Sequence, residues 1–297
     1  MTRCKATIPE TPMKKRTLLL ALLASFLSLT LQAAPTVVEA VQYPAWLERD
    51  GRSVPLTPGT VLQSNDQLRT GNNARVQLKL GEGSTVKLGE KAKFQIERVE
   101  EKGIFRATLN VITGAFRFTT DALRKTTRQR DVSIKVKNVT AGVRGTDLWG
   151  KSGDDRDLVC LLEGKISVGA EGHPTVMLDN PLDFYQKPRD GNPQVAKVDA
   201  KQVEEWARET EISKDGAAAR GGGRWRVIAA GFKQRDGALA LNRKLRAEGY
   251  PAEIIQDKEG FFVQIAGLAG EPEARALMAN LRTFEGVKPL VSEMPAR

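Results

Sequence analysis

Residues able to perform covalent or metal chemistry are scarce in this chain of 297 residues. It contains one histidine, His173, and two cysteines, Cys4 and Cys160. The sequence shows no His, Cys or Ser constellation that is typical of a nucleophilic or metal site, and Cys160 lies in an apolar run typical of a buried core residue. The neighbouring carboxylates Asp154-Asp155 and Glu204-Glu205 lie in polar stretches that are typical of solvated surfaces. We therefore expect no catalytic residues, no metal and no cofactor.

Residues suited to non-covalent binding lie in a strand that occurs twice near the C-terminus. The run Arg224 to Phe232 is echoed by Gly260 to Leu268, and each copy leads into a helical segment with Ala and Leu. Strand alternation predicts that four residues face these helices: Val227, Ala229, Val263 and Ile265. Four candidate binding residues then point to the opposite face: Arg226, Ile228, Phe262 and Gln264. Such a face offers an aromatic ring for stacking, together with an amide and a guanidinium for hydrogen bonds.

The order of elements around these strands predicts an α+β domain. Further apolar runs, Tyr250 to Ile255 and Val287 to Val291, follow the two helical segments. The order strand, helix, strand, strand, helix, strand is that of a split βαβ domain of the ferredoxin or RNP type. Two helices cover one face of its four-stranded sheet and leave the other face bare.

The region ahead of this domain has the pattern of an all-β fold. Short runs of alternating apolar and charged residues, such as Arg75 to Leu80 and Lys165 to Val168, follow one another from Gly59 onward. Glycine-containing turns separate them, which predicts strands with one buried and one solvated face. A sandwich, a barrel and a solenoid all fit this pattern.

The N-terminus has the pattern of an export signal over residues 1–33. Lys14-Lys-Arg16 precedes an uncharged, Leu-rich run that ends in small residues, and this is the order of a secretory signal. An uncleaved inner-membrane anchor is the alternative, because the apolar run approaches the length that spans a bilayer. Met13 directly precedes Lys14, so translation could start at Met1 or at Met13, and residues 1–12 would then be an upstream extension. Export argues against nucleic acid as a partner.

A helix and a glycine-rich segment separate the two predicted domains, which we place at residues 35–197 and 224–293. The apolar stripe of Val203 and Trp206 predicts a helix, and Lys214 to Gly223 is typical of a flexible linker. Residues 198–223 are therefore predicted to connect two domains that move independently.

Three segments of the β region resemble FecR-type periplasmic domains: Asn65 to Gly71 leading into Ala74 to Leu78, Gly83 to Leu88, and Ala141 to Asp147 followed by Leu162 to Val168. The resemblance implies a periplasmic scaffolding or signalling domain that binds an envelope protein or another ligand. Its best marker contains Arg144, Gly145 and Thr146. We interpret these three as structural, because Gly permits a positive φ and Arg can tie a loop to a carboxylate.

The C-terminal domain resembles the SPOR (sporulation-related) family over its whole length. Six residues carry the resemblance: Trp225, Val227, Phe232, Phe261, Val263 and Gly267. It implies a periplasmic, non-catalytic domain that binds peptidoglycan and favours glycan strands stripped of stem peptides, as found at division sites. The sequence departs from the family at Ile228, which replaces a Gln, and at Ala230, which replaces a Gly. The alternative is that this face contacts another protein. The RNP1 pattern of an RNA-binding domain is missing.

Overall fold

The computed structural model describes residues 35–101, 104–120, 130–143 and 145–295. The export signal predicted at residues 1–33 and the marker residue Arg144 lie outside the described residues. All of the described residues belong to one compact unit. No helix within the described ranges is both long enough and apolar enough to cross a membrane.

In the N-terminal body, residues 35–197, every secondary-structure element that the structure describes is a strand, which confirms the predicted all-β region. Its strands are β1 (Val37–Gln42), β2 (Ala45–Arg49), β3 (Arg52–Pro55), β4 (Gln67–Thr70), β5 (Arg75–Lys79), β6 (Thr85–Leu88), β7 (Lys93–Glu101), β8 (Ile104–Thr119), β9 (Arg130–Val136), β10 (Val139–Val143), β11 (Asp147–Ser152), β12 (Arg156–Glu163), β13 (Ile166–Ala170), β14 (Val176–Leu178), β15 (Asp183–Pro188) and β16 (Gln194–Lys197). Buried and half-exposed residues alternate along β5, β6 and β13, as expected for strands with one face in a core.

These strands form two sheets that share β8. Sheet I has the order β1, β5, β6, β8, β11, β12, β15, β16, with every neighbouring pair antiparallel. Sheet II has the order β3, β2, β4, β7, β8, β9, β10, β13, β14, and only its β8–β9 pair is parallel. The sheets enclose one hydrophobic core that includes Phe94, Leu109, Phe116 and Phe118. Of the three predicted architectures, this corresponds to the sandwich.

Strand β8 passes from one sheet to the other at Gly114. This residue has a φ of +90°, and a Cβ added to it would stand 2.6 Å from the Cα of Ala92. Only glycine combines that backbone conformation with so close an approach. The bend lets one strand close the sandwich.

Helix α1 (Ala200–Thr210) follows the sandwich and packs on sheet I. Its Trp206 ring stacks on Trp149 of β11, with ring centroids 4.6 Å apart and an interplanar angle of 8°. Glu209 at its end pairs with Lys151 at 2.8 Å, and Glu211 just beyond pairs with Lys87 at 2.6 Å. The helix is therefore fastened to the N-terminal body at both its middle and its end.

The segment after α1 differs from the flexible linker predicted there. Strand β17 (Ala218–Arg220) pairs antiparallel with β1, and Ala219 also pairs with Leu268 of the last long strand of the chain. Ala217, Ala218 and Ala219 are at most 2% exposed. Their side chains are small enough to be buried between neighbouring elements. This stretch is therefore an ordered strand that pairs with β1 on one side and with the strand of Leu268 on the other.

The C-terminal body, residues 225–293, has the split βαβ order, which confirms the predicted α+β class. Its elements are β18 (Trp225–Phe232), α2 (Arg235–Ala247), β19 (Glu253–Gln256), β20 (Phe261–Leu268), α3 (Glu271–Leu281) and β21 (Leu290–Glu293). The antiparallel sheet has the order β19, β20, β18, β21. Residues from one face of β18 and β20 are fully buried with residues of both helices: Val227, Ala229, Val263, Ile265, Ala238, Leu245, Ala274 and Leu277.

The end of α2 docks on strand β2 of the sandwich. The indole Nε1 of Trp46 donates a hydrogen bond to the carbonyl oxygen of Ala247 at 3.0 Å. The Trp46 ring also lies against Gly249, where an added Cβ would stand 2.7 Å from the ring. Beside this contact the rings of Tyr43 and Tyr250 approach to 6.4 Å between centroids. The two bodies therefore share an interface on the helical side of the C-terminal sheet.

Candidate open-face binding site

The candidate site lies on the sheet face that α2 and α3 leave uncovered. Cross-strand register places one residue from each strand in a row across this face, in the order Leu290, Ile228, Gln264 and Glu253. A second row runs from Gly231 through Phe262 to Ile255. The register brings Ile228, Phe262 and Gln264 together, while Arg226 lies next to the first row with Ser292 as its partner on β21.

A chain of hydrogen bonds links three polar side chains on this face. The Nη1 of Arg226 donates to the Oε1 of Gln264 at 3.1 Å, and the Nε2 of Gln264 donates to the Oε1 of Glu253 at 2.7 Å. A guanidinium can only donate and a carboxylate can only accept, so the two neighbours determine which way the amide points. Gln264 is 5% exposed, and its position is held from both sides.

The ring of Phe262 lies over the backbone of Gly231. A Cβ added to Gly231 would stand 2.8 Å from Cε1 and 3.0 Å from Cδ1 of that ring. The ring thus lies across the open face, half-exposed, where the absence of a side chain at Gly231 makes room for it. This geometry presents an aromatic face beside the polar chain, which suits stacking against a flat or ring-shaped ligand.

The apolar part of the face is formed by Ile228 and Leu290. Leu290 is 63% exposed, and Ile228 beside it is half-buried. Because Ile228 stands where a Gln was expected from the resemblance, the amide function of this face is supplied by Gln264 alone among the four register partners of the first row.

One hydrogen-bond donor of Arg226, its Nε, is in an unfavourable environment. This Nε is buried and has no hydrogen-bond partner among the residues that the structure describes. Burying a polar group without a partner costs about 1–3 kcal/mol, so native structures rarely retain such a group without a reason.

Two contributors to the site were missed by reasoning from the sequence. Glu253 begins the short strand β19, and Gly231 lies near the end of β18. Only the register of β19 and β18 against β20 shows that they lie next to Gln264 and Phe262. A glycine near the end of an apolar strand signals close approach of another group, and this was the one available clue.

The marker residues of the N-terminal body that the structure describes shape the turn before β11. Gly145 has a φ of +69°, and the carbonyl oxygen of Thr146 accepts a hydrogen bond from the backbone N–H of Thr120 at 2.9 Å. Thr146 is buried. This arrangement suits the structural role proposed for the marker, which stays a prediction, as do the domain boundaries drawn at 35–197 and 224–293.

The chemistry open to Cys160 is restricted by its surroundings. The thiol lies in the core, and burial, followed by the negative charge of Asp183, raises its pKa to about 12. At neutral pH it remains protonated and is a poor nucleophile.

Comparisons with known proteins give two kinds of match. Two crystal structures of a protein described as an anti-sigma factor from Parabacteroides distasonis, at 1.65 Å and 2.50 Å, each align at 14% identity with a TM-score of 0.40, covering 75% of this chain and 92% of theirs. Comparison with curated proteins found no match. The family model described as FecR protein matches residues 66–167, and the SPOR domain model matches residues 221–292. The chain therefore contains a FecR domain followed by a C-terminal SPOR domain, as the sequence predicted.

Proposed function

We propose that this chain is an exported, non-catalytic envelope protein that binds glycan strands of peptidoglycan through the open face of its SPOR sheet. The observation that carries the proposal is the ring of Phe262, which lies across the open face beside the chain of Arg226, Gln264 and Glu253. FecR and SPOR domains are typical of envelope proteins, and SPOR domains bind peptidoglycan. The periplasm is the proposed location, and enrichment at division sites is part of the same proposal.

The site residues divide the work of holding a sugar. Phe262 stacks against the apolar face of a sugar ring, and Ile228 with Leu290 extends the apolar contact along the face. Gln264 and Arg226 hydrogen-bond hydroxyl, acetamido and carboxylate groups of the strand. Stacking of a ring supported from below by a strand involves little loss of side-chain entropy, which favours affinity.

The FecR domain is proposed to be the scaffold for an envelope protein partner or another ligand. Strand β17 and the contact of Trp46 with the end of α2 fasten the SPOR domain to it. A partner bound to the sandwich would thereby be held at a defined position relative to the cell wall.

Co-sedimentation with purified sacculi tests the proposal. The protein used is residues 34–297, which form one compact unit, and the sacculi are used before and after an amidase removes the stem peptides. We expect the pelleted fraction to rise after amidase treatment. Phe262→Ala should weaken binding about 2- to 10-fold, the size expected for loss of an aromatic contact worth about 0.5–1.5 kcal/mol.

Met177→Ala is the matched control, because Met177 is an apolar residue 62% exposed on the sandwich, away from the site. It should bind as the wild type does. Failure of the wild-type protein to pellet under either condition would sink the glycan proposal and favour the alternative that this face binds a protein.

A further inference from the structure

The guanidinium of Arg226 is only partly used in the structure. Its Nη1 donates to Gln264, while its Nε is buried without a partner in the described part of the chain. Among the ion pairs of the described residues, none includes Arg226. The neighbouring arginine Arg224 instead pairs with Glu293 at 2.9 Å. Arg226 is therefore a cation at the edge of the candidate site that forms no ion pair with the residues that the structure describes.

Burial of the Nε without a partner makes the present arrangement of Arg226 costly. A rotation that brings Nε and Nη2 out together would relieve the buried donor and present the two parallel N–H groups that match a carboxylate. The same rotation would free the Oε1 of Gln264, whose orientation Glu253 continues to hold through its bond at 2.7 Å to Nε2. One ligand carboxylate would then replace one internal hydrogen bond and leave a free acceptor beside it.

Opposite charges lie on the two sides of Gln264 in this part of the open face. Arg226 lies on the β18 side of Gln264, and the exposed carboxylate of Glu253 lies on the β19 side. A negatively charged group is attracted near Arg226 and repelled near Glu253. The two charges therefore favour a ligand orientation that places a carboxylate beside Arg226 and away from Glu253.

On these grounds, and resting on the proposed function, we infer that Arg226 recognises the carboxylate that appears on muramic acid when the stem peptide is removed. Amidase hydrolyses the amide bond between the lactyl carbonyl and the first amino acid of the peptide. Water supplies the hydroxyl of the new carboxyl group, which ionises, and the peptide leaves with its amine. An intact strand carries a neutral amide at that atom, so Arg226 distinguishes the two by charge and by its bidentate geometry.

The test compares two chemical forms of the same glycan. Strands released from amidase-treated sacculi are used as prepared, or after their carboxylates are converted to primary amides with a carbodiimide and ammonium chloride. The affinity of residues 34–297 is measured for both forms by calorimetry. Charge-assisted hydrogen bonds of this type predict that the wild type binds the carboxylate form about tenfold or more tightly than the amide form.

Variants of Arg226 test whether this side chain distinguishes the carboxylate form of the glycan from the amide form. Arg226→Gln should bind both forms equally, and Arg226→Lys should retain only part of the preference, because an ammonium cannot form the two parallel bonds. Arg235→Gln is the matched control, since Arg235 is an exposed arginine at the start of α2 on the helical side. It should discriminate as the wild type does.

Three outcomes would overturn the inference, and they differ from one another. Equal binding of both forms by the wild type would refute recognition of the carboxylate but leave glycan binding intact. Full discrimination by Arg226→Gln would move the recognition to another residue. Absence of binding to either form would refute the proposed function together with the inference.

Discussion

At the scale of single residues, the position of the Phe262 ring on the open face depends on the absence of a side chain at Gly231. The ring of Phe262 occupies the space that a side chain would take there, at 2.8 Å from the position of a Cβ. The backbone φ of Gly231 is not in the positive range, so the position requires glycine for space rather than for conformation. An added methyl group would force the Phe262 ring to move while leaving the strand intact.

Gly231→Ala is therefore expected to weaken glycan binding without unfolding the protein. Displacement of the ring removes a stacking contact worth about 0.5–1.5 kcal/mol, which corresponds to an affinity about 2- to 10-fold lower. Calorimetry with denuded strands measures the effect. Gly221→Ala serves as the control, because nothing lies within 4 Å of a Cβ at Gly221. Unchanged affinity in Gly231→Ala would show that the ring position does not matter for binding.

At the scale of elements, β17 determines how the two bodies are joined. It pairs with β1 of the sandwich through three residue pairs and touches β20 of the SPOR sheet through Ala219 and Leu268. The backbone N–H of Ala269 also donates to the carbonyl oxygen of Ala218 at 3.1 Å. The strand consequently satisfies its backbone on both sides, which a flexible linker would not do.

Ala219→Asp is expected to lower the free energy of unfolding by about 3 kcal/mol or more, because it places a carboxylate at a fully buried position without a partner. Denaturation by guanidinium chloride, followed by tryptophan fluorescence, measures the loss. Arg220→Asp is the control in the same strand, since Arg220 is exposed, and its effect should stay within about 0.5 kcal/mol. Similar stabilities of the two variants would contradict the burial of Ala219 in β17.

At the scale of the whole molecule, the interface between the bodies contains two buried tyrosines. Burial raises the pKa of Tyr43 well above its ordinary value of 10.0, and burial with the negative charge of Glu248 raises the pKa of Tyr250. Both rings lie where β2 meets the end of α2. The folded protein therefore keeps these protons at a pH at which the unfolded chain begins to lose them.

The resulting prediction is a loss of stability at alkaline pH. Below about pH 10 both states hold the phenolic protons, so the stabilisation is complete; above it the unfolded chain binds fewer protons and the free energy of unfolding falls by up to about 1.4 kcal/mol per pH unit and group. Tyr43→Phe should show a shallower fall between pH 10 and 11 than the wild type. Unfolding titrations at pH 8, 10 and 11 measure the slopes.

The measurement at pH 8 is the reference, because both states hold the phenolic protons there, so a difference in stability between the two proteins at that pH does not come from ionisation. Cys160, Tyr185 and Tyr250 also have raised pKa values and keep part of the alkaline fall in the variant. Equal slopes in the two proteins above pH 10 would show that Tyr43 ionises as easily in the folded state as in the unfolded one.

The amino-acid sequence by itself determined the elements of this protein and indicated its FecR and SPOR domains. Alternation along runs such as Arg75–Lys79 indicated strands with one buried face, and the order of the C-terminal runs indicated the split βαβ domain. The FecR and SPOR motifs could also be recognised in the sequence. Each of these signals is contained within a few neighbouring residues, where the local chain geometry sets the period.

Tertiary structure alone decided how the elements meet. The pairing of Ala219 with Leu268, the bond from Trp46 to Ala247 and the bond from Gln264 to Glu253 join residues that no local pattern connects. The Ala-rich segment around β17 has neither alternation nor a helical period, so its composition indicated a linker. Its structure depends on strands that arrive from both ends of the chain, and cross-strand register is a property of the packed molecule rather than of any one segment.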